Sequence, residues 1–227
     1  MEGNDMNRQG PGKIEWTDYT WNPVTGCLKG CSYCYARKTA TEGRAKKFYP
    51  NGFVPEFHPE RLSEPSKVKK PSKIFVGDMC DLFGEWVPRE WIDAVLESVK
   101  QAPQHTYQFL TKNLGRYLEF EFSDNCWLGT TIEMETEINR ALPLRCLSDH
   151  NIAFASHEPL LSPMPLDLAF DWIIVGEITD NPAHESHKYV KFWAEDLIKR
   201  AEENHIPVFV KNALGAIFPQ REFPKVR

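Results

Sequence analysis

From residue 73 onward, short apolar runs alternate with longer stretches in which apolar residues recur every three or four positions. The runs are residues 73–77 (KIFVG), 107–111 (YQFLT), 127–131 (WLGTT), 152–156 (IAFAS), 172–176 (WIIVG) and 207–211 (PVFVK). Each is short and nearly continuous in apolar character, as a strand buried on both faces must be. A further short strand is predicted at residues 19–22. Helices are predicted between them. Residues 88–100 (PREWIDAVLESVK) place Trp91, Val95 and Val99 on one face and open with proline. Residues 189–204 read the same way, residues 133–142 form a shorter helix that Pro143 should stop, and residues 114–122 are a weaker candidate.

Strand alternating with helix means βαβ units and a parallel sheet. A complete eight-stranded barrel typically takes about 250 residues. With 227 residues, the chain fits an α/β fold built as an incomplete TIM-like barrel of about six or seven parallel strands. A doubly wound open sheet is the alternative. Residues 1–12 are polar and Gly-rich and read as a frayed tail, leaving residues 13–227 as a single domain. Residues 49–71, with five prolines, read as a loop insertion.

No apolar run approaches about 18 residues, so no membrane-spanning helix and no membrane partner are expected. The opening residues lack the apolar core of a secretory signal, which points to a cytoplasmic protein. The net charge is −5, not that of an obvious nucleic-acid binder. The charge is uneven, however. Between Arg37 and Lys73 ten Lys/Arg face four Glu, a local +6 that leaves −11 elsewhere. Tyr49, Phe53 and Phe57 are interleaved with these cations. Basic charge finds phosphates and aromatic rings stack on bases, so a nucleic-acid surface is one reading. A solvated face beside a self-packed insertion is the plainer one.

Three of the six cysteines lie within eight residues. Residues 21–36 read WNPVTGCLKGCSYCYA, which spaces Cys27, Cys31 and Cys34 as C-x3-C-x2-C. Thiolates are soft ligands for iron–sulfur clusters or zinc. Three of them can hold three irons of a four-iron cluster and leave the fourth iron open. A zinc knuckle would need a fourth protein ligand, and His58 is the nearest downstream histidine. Cys80, Cys126 and Cys146 are scattered, and buried free cysteine usually serves as a small hydrophobe.

This spacing, with aromatic Tyr33 just before the third cysteine, resembles the radical S-adenosylmethionine superfamily. The longer stretch IEWTDYTWNPVTGC, with WIDAVLESV and VFVKN downstream, is similar to a phage- and prokaryote-associated family of unknown function with a radical-enzyme-like barrel. The resemblance implies a 4Fe-4S cluster on Cys27, Cys31 and Cys34 and S-adenosyl-L-methionine on the open iron. It also implies a 5′-deoxyadenosyl radical that abstracts a substrate hydrogen, and a flavodoxin- or ferredoxin-like electron donor. Tyr33 would pack near the cofactor adenine. The superfamily's Gly-Gly-Glu-like segment is replaced here by Val76, Gly77, Asp78 and Met79, so Gly77 and Asp78 are the corresponding cofactor contacts.

Active sites of parallel barrels form at the C-terminal strand ends. Each apolar run is followed by polar residues: Asp78, Cys80 and Asp81; Thr111, Lys112 and Asn113; Thr130, Thr131 and Glu133; Ser156, His157 and Glu158; Glu177 and Thr179; Lys211 and Asn212. Thr131, Glu133 and Glu177 are taken as further cofactor contacts. Cys80, as a hydrogen-atom donor, and Lys211, as an anion-binding cation, are taken as catalytic candidates. Helix capping or loop hydrogen bonds are the plainer roles for the same residues. A non-catalytic module that keeps an iron–sulfur or zinc site for binding nucleic acid or a partner is the alternative function.

Overall fold

Every apolar run singled out in the sequence forms a strand in the computed structural model, which describes residues 6–147, 150–166, 170–178 and 183–225. Thr179 lies outside the described residues, as do the side chains of Arg44, Cys146 and Asn212. Two compact units divide the chain, Met1–Cys126 and Trp127–Arg227.

In the first unit, β1 (Asn7–Arg8) pairs antiparallel with β2 (Tyr19–Trp21). The opening segment, read as a frayed tail, therefore carries an edge strand from Asn7. Next come β3 (Val24–Thr25), β4 (Glu56–Phe57), β5 (Lys73–Val76) and β6 (Thr106–Thr111). Strand β5 runs parallel to β2, with Trp21 opposite Val76, and parallel to β6, with Val76 opposite Phe109. Helix α1 (Tyr35–Thr41) follows the cysteine loop, α2 (Glu64–Lys67) precedes β5, and α3 (Arg89–Gln101) joins β5 to β6. Helix α3 buries Ile92, Val95, Leu96 and Val99. Trp91, assigned to the same face by its spacing, is only half-buried and stacks on Phe57 at 5.4 Å. Phe83 is fully buried against Phe109 and Tyr117. Each such ring stabilises the unit by roughly 1.5–3 kcal/mol.

Residues 49–71 are not a plain loop. Strand β4 pairs with β3, directly before the cysteines, with Val24 opposite Phe57. Arg61 donates to the Asn22 carbonyl and its own carbonyl accepts from the Trp21 indole. The segment folds because it supplies partners to the Asn22 and Pro23 carbonyls, to strand β3 and to the Cys27 N–H.

In the second unit, β7 (Cys126–Thr131), β8 (Ile152–His157), β9 (Trp172–Val175) and β10 (Val208–Val210) are parallel neighbours. The residues of β9 and β10 are buried throughout, the burial pattern expected of a covered parallel sheet. A Cβ at Gly129 of β7 would sit 2.4 Å from the Phe154 ring, so glycine lets the two strands pack. Helix α4 (Val190–Glu203) buries Val190, Ala194, Leu197, Ile198 and Ala201. The short helix α5 (Asn212–Gly215) follows β10.

Two predicted helices wind differently. Leu114–Glu119 and Glu135–Cys146 are 3-10 segments, and the second runs through Pro143 instead of stopping there. The missing N–H of Pro143 costs this run one i→i+3 bond, and the run has no i→i−4 bond for the proline to break.

Candidate metal centre and active site

The site grows from the C-terminal ends of β2 and β5. Gly77 donates to the Trp21 carbonyl, Gly26 donates to the Met79 carbonyl, and Gly26 and Cys80 form an isolated parallel bridge. The two strands thus extend their pairing into the loops that carry the cysteines and Asp78. Pro23 confines Asn22 to extended backbone. The Asn22 side chain then spans the gap: its amide donates to Asp78 at 2.6 Å and its oxygen accepts from the Met79 N–H at 3.0 Å. Burial pushes the Asp78 carboxyl up, against hydrogen bonds from Asn22 and Thr20 that favour the charged form.

Two glycines here have no substitute. Gly77 has φ +83°, and a Cβ would meet the Cys80 sulfur at 2.8 Å. Gly26 has φ +86°, and a Cβ would lie 2.1 Å from the Val54 carbonyl oxygen. The Cys27 N–H donates to the Phe53 carbonyl at 3.1 Å, so the 49–71 segment braces the start of the cysteine loop. Arg37 braces it from the other side, donating to the Cys27 carbonyl at 3.0 Å while lying over the Phe53 ring.

Cys27, Cys31 and Cys34 are unbridged and half-buried. The Cys27 sulfur accepts from the Lys29 N–H at 3.5 Å and the Cys34 sulfur from the Arg37 N–H at 3.4 Å. Cys27 and Cys34 also pack against buried Ala36, Ala40, Phe53 and Met79. Burial pushes the Cys27 thiol up to about 11, with Asp81, Cys34 and Cys31 adding repulsion against the Lys29 hydrogen bond. As a thiolate, the Cys27 sulfur therefore needs a cation beside it. Among the described residues, no three or more His, Cys, Asp or Glu side chains are grouped to hold a single metal ion. A 4Fe-4S cluster makes a different demand, since each thiolate binds its own iron. The donor set fits such a cluster: three soft ligands on one loop, N–H donors aimed at two of the sulfurs, and an apolar wall behind them.

Tyr33 stands inside this loop. The Lys112 ammonium, just past β6, donates to its hydroxyl at 2.8 Å and lies 5.3 Å from its ring centre. Tyr35 donates to the Asp78 carbonyl at 2.8 Å. Asp81 is buried, accepting from the Thr111 hydroxyl at 2.6 Å and the Lys112 N–H at 3.1 Å. Burial holds the Cys80 thiol well above its ordinary range, and the charges of Asp81, Cys27 and Asp78 act in the same direction. The first unit therefore brings together Tyr33, Gly77, Asp78 and Cys80 with the three loop cysteines.

The remaining candidates lie in the second unit, at the exits of its strands. After β7, Arg140 donates to the Thr131 carbonyl at 2.5 Å, to Glu133 at 3.0 Å and to Glu137 at 2.6 Å. Burial first, then Glu137, raises the Glu133 carboxyl to about 8. His157, at the end of β8, is buried and donates from Nδ1 to the Ile132 carbonyl at 2.9 Å, and burial lowers it to about 4. Glu158 turns elsewhere and pairs with Lys211. His157 and Glu158 are thus separate, as adjacent residues leaving a strand must be. Glu177 lies 3.4 Å from His187.

Sequence reading missed three features: the Asn22 bridge, the Lys112–Tyr33 contact and the Arg140 fork. The only local signal was Asn22 before Pro23. The Lys112–Tyr33 contact spans 79 positions and leaves no periodic trace.

Among solved structures, the chain is similar to a variant of spore photoproduct lyase, with a TM-score of 0.63 at 11% identity over 92% of this chain and 79% of that one. A second variant, solved with bound AdoMet and dinucleoside spore photoproduct, gives a TM-score of 0.60 at 11% identity over the same shares. The likeness establishes the fold, an α/β architecture of mostly parallel strands similar to the incomplete barrel of spore photoproduct lyase. No curated protein matches the chain in sequence. The model of the family described as protein of unknown function, DUF5131, matches residues 11–222, and the chain belongs to that family.

Proposed function

We propose that this protein is a radical S-adenosylmethionine-type enzyme whose cluster is held by Cys27, Cys31 and Cys34. One observation carries the reading. Three unbridged, half-buried thiols share one loop at the C-terminal ends of β2 and β5, with Asp78, Tyr33 and Cys80 fixed around them. A 4Fe-4S cluster bound there would supply the electron that cleaves the carbon–sulfur bond of S-adenosyl-L-methionine. The chain's own residues bind and orient. Asp78, desolvated and backed by Asn22, offers a carboxyl beside the loop for an ammonium group. Tyr33 offers a ring held by Lys112. Cys80 stays a neutral thiol, the form that carries a transferable hydrogen atom. Thr131, Glu133 and Glu177 are proposed as cofactor contacts and Lys211 as an anion-binding cation. A flavodoxin- or ferredoxin-like protein is the proposed electron donor.

The proposed substrate is a nucleic acid. Structures similar to this chain were solved with a dinucleoside spore photoproduct. Lys46, Lys47, Lys67, Lys69 and Lys70 are exposed, with Phe48 bared among them. A gel-shift titration against single- and double-stranded DNA and RNA tests this part. Binding should fall steeply with salt, and charge reversal at Lys46 and Lys47 should weaken it. No shift at micromolar protein in any condition retires the nucleic-acid substrate.

The cluster is tested by anaerobic reconstitution of the Cys27→Ala, Cys31→Ala and Cys34→Ala variants. Each should lose the iron–sulfur chromophore. A full cluster in all three would refute the assignment.

A further inference from the structure

We propose that Asp81, Lys112 and Tyr33 form a latch that positions the cysteine loop, fixing the turn from Cys31 to Cys34 before any cofactor arrives. The proposal rests on the reading of that loop as the ligand loop and adds residues that the cysteine spacing does not reveal. Its foundation is the exit of β6. Asp81 is buried, and its two oxygens take the Thr111 hydroxyl and the Lys112 N–H. The Asn113 side chain adds a bond to the Phe83 carbonyl at 3.0 Å. Two successive residues beyond the strand are thereby pinned to the loop that follows β5. A lysine on such a base has a defined origin, and its flexible stem loses less entropy in reaching a distant target.

That target is Tyr33. The Lys112 ammonium donates to the hydroxyl at 2.8 Å in a partly buried contact, a hydrogen bond strengthened by the donor's charge. Tyr33 sits between Cys31 and Cys34, so fixing its ring end fixes the turn that carries both sulfurs. Two further bonds hold the same turn: the Cys34 N–H donates to the Cys31 carbonyl at 3.3 Å, and the Arg37 N–H donates to the Cys34 sulfur. These are local and can form in many loop positions. Among these contacts, the Lys112–Tyr33 bond ties the turn to the parallel sheet. Asp81 and Lys112 are thus positioning residues, acting on the cysteines through Tyr33.

The test uses the full chain without iron and reads thiol accessibility by mass spectrometry after timed iodoacetamide labelling. Lys112→Met keeps most of the stem and removes the donor. Tyr33→Phe keeps the ring and removes the acceptor. Each should speed labelling of Cys31 and Cys34 by roughly ten- to a hundredfold, the scale of one hydrogen bond to a charged group. The double variant should be no faster than either single, because both remove the same bond. Lys112→Arg, which keeps a donor, should restore the slow rate. Labelling of fully buried Cys126 reports whether the fold is intact. Should Lys112→Met expose Cys126 as well, Tyr33→Phe decides alone, since it removes one oxygen. Unchanged Cys31 and Cys34 rates with Cys126 protected would overturn the latch, as would additive effects in the double variant. A wild-type chain that takes up no iron would refute the proposed function and leave this result standing.

Discussion

Replacing Gly26 by alanine should damage the chain far more than the same change at Gly30, four residues along the same loop. Both glycines have positive φ, +86° and +76°. That conformation alone costs an alanine about 1–2 kcal/mol. At Gly30 nothing lies within 4 Å of the added carbon, so the cost stops there. At Gly26 the new Cβ falls 2.1 Å from the Val54 oxygen, 2.4 Å from its carbonyl carbon and 2.7 Å from the Pro55 nitrogen. All three are backbone atoms, and ordinary contact needs about 3.5 Å or more, so the 53–55 segment must move by more than about 1 Å. That motion draws the Phe53 carbonyl away from the Cys27 N–H, now 3.1 Å away. An unsatisfied buried group adds about 1–3 kcal/mol. The total for Gly26→Ala is about 2–5 kcal/mol, against about 1–2 for Gly30→Ala. Urea unfolding followed by tryptophan fluorescence separates them. At a slope of about 2–3 kcal/mol per molar, the Gly26→Ala midpoint should fall about 1 M below that of Gly30→Ala. Equal midpoints would show that the 49–71 segment does not brace the cysteine loop.

Two further perturbations probe each unit separately. Asn22→Ala strands the Met79 N–H and leaves half-buried, desolvated Asp78 short of a donor; a loss of about 2–4 kcal/mol is expected in the same assay, and a loss below about 1 would contradict the bridge. In the second unit, Glu133 holds its proton to about 8 in the fold against an ordinary 4.5, so its contribution is full below 4.5 and lost as pH rises towards 8. Glu137 is the opposite case: burial disfavours its charge, but Glu133 and Arg140 outweigh this and hold it near 2, so its stabilisation is lost only as pH falls below 4.5. Glu133→Gln should therefore flatten the fall in stability between pH 5 and about 8; parallel profiles for wild type and variant would refute the raised Glu133 carboxyl.

How much of this was legible in the sequence follows from the range of each interaction. Residues 73–77 and 172–176 read as strands because burial on both faces makes nearly every position apolar, a local signature. Residues 189–204 read as a helix because one face repeats every turn. The 49–71 segment did not read as structure, since its order comes from pairing with residues 21–27 and not from its own pattern. Pro143 misled because a proline rule for α-helices was applied to a 3-10 run. Within the site, the thiol spacing was visible because ligand chemistry is local. The roles of Asn22, Asp81 and Lys112 were not, because each depends on partners more than 25 positions away.

The central claim is that Cys27, Cys31 and Cys34 hold a cluster able to cleave S-adenosyl-L-methionine. It is tested most directly by anaerobic reconstitution with iron and sulfide, followed by reduction in the presence of that cofactor. The account predicts about 4 Fe per chain and the release of 5′-deoxyadenosine, both lost in Cys31→Ala. A reconstituted chain that binds no iron, or forms 5′-deoxyadenosine equally well without Cys31, would contradict it.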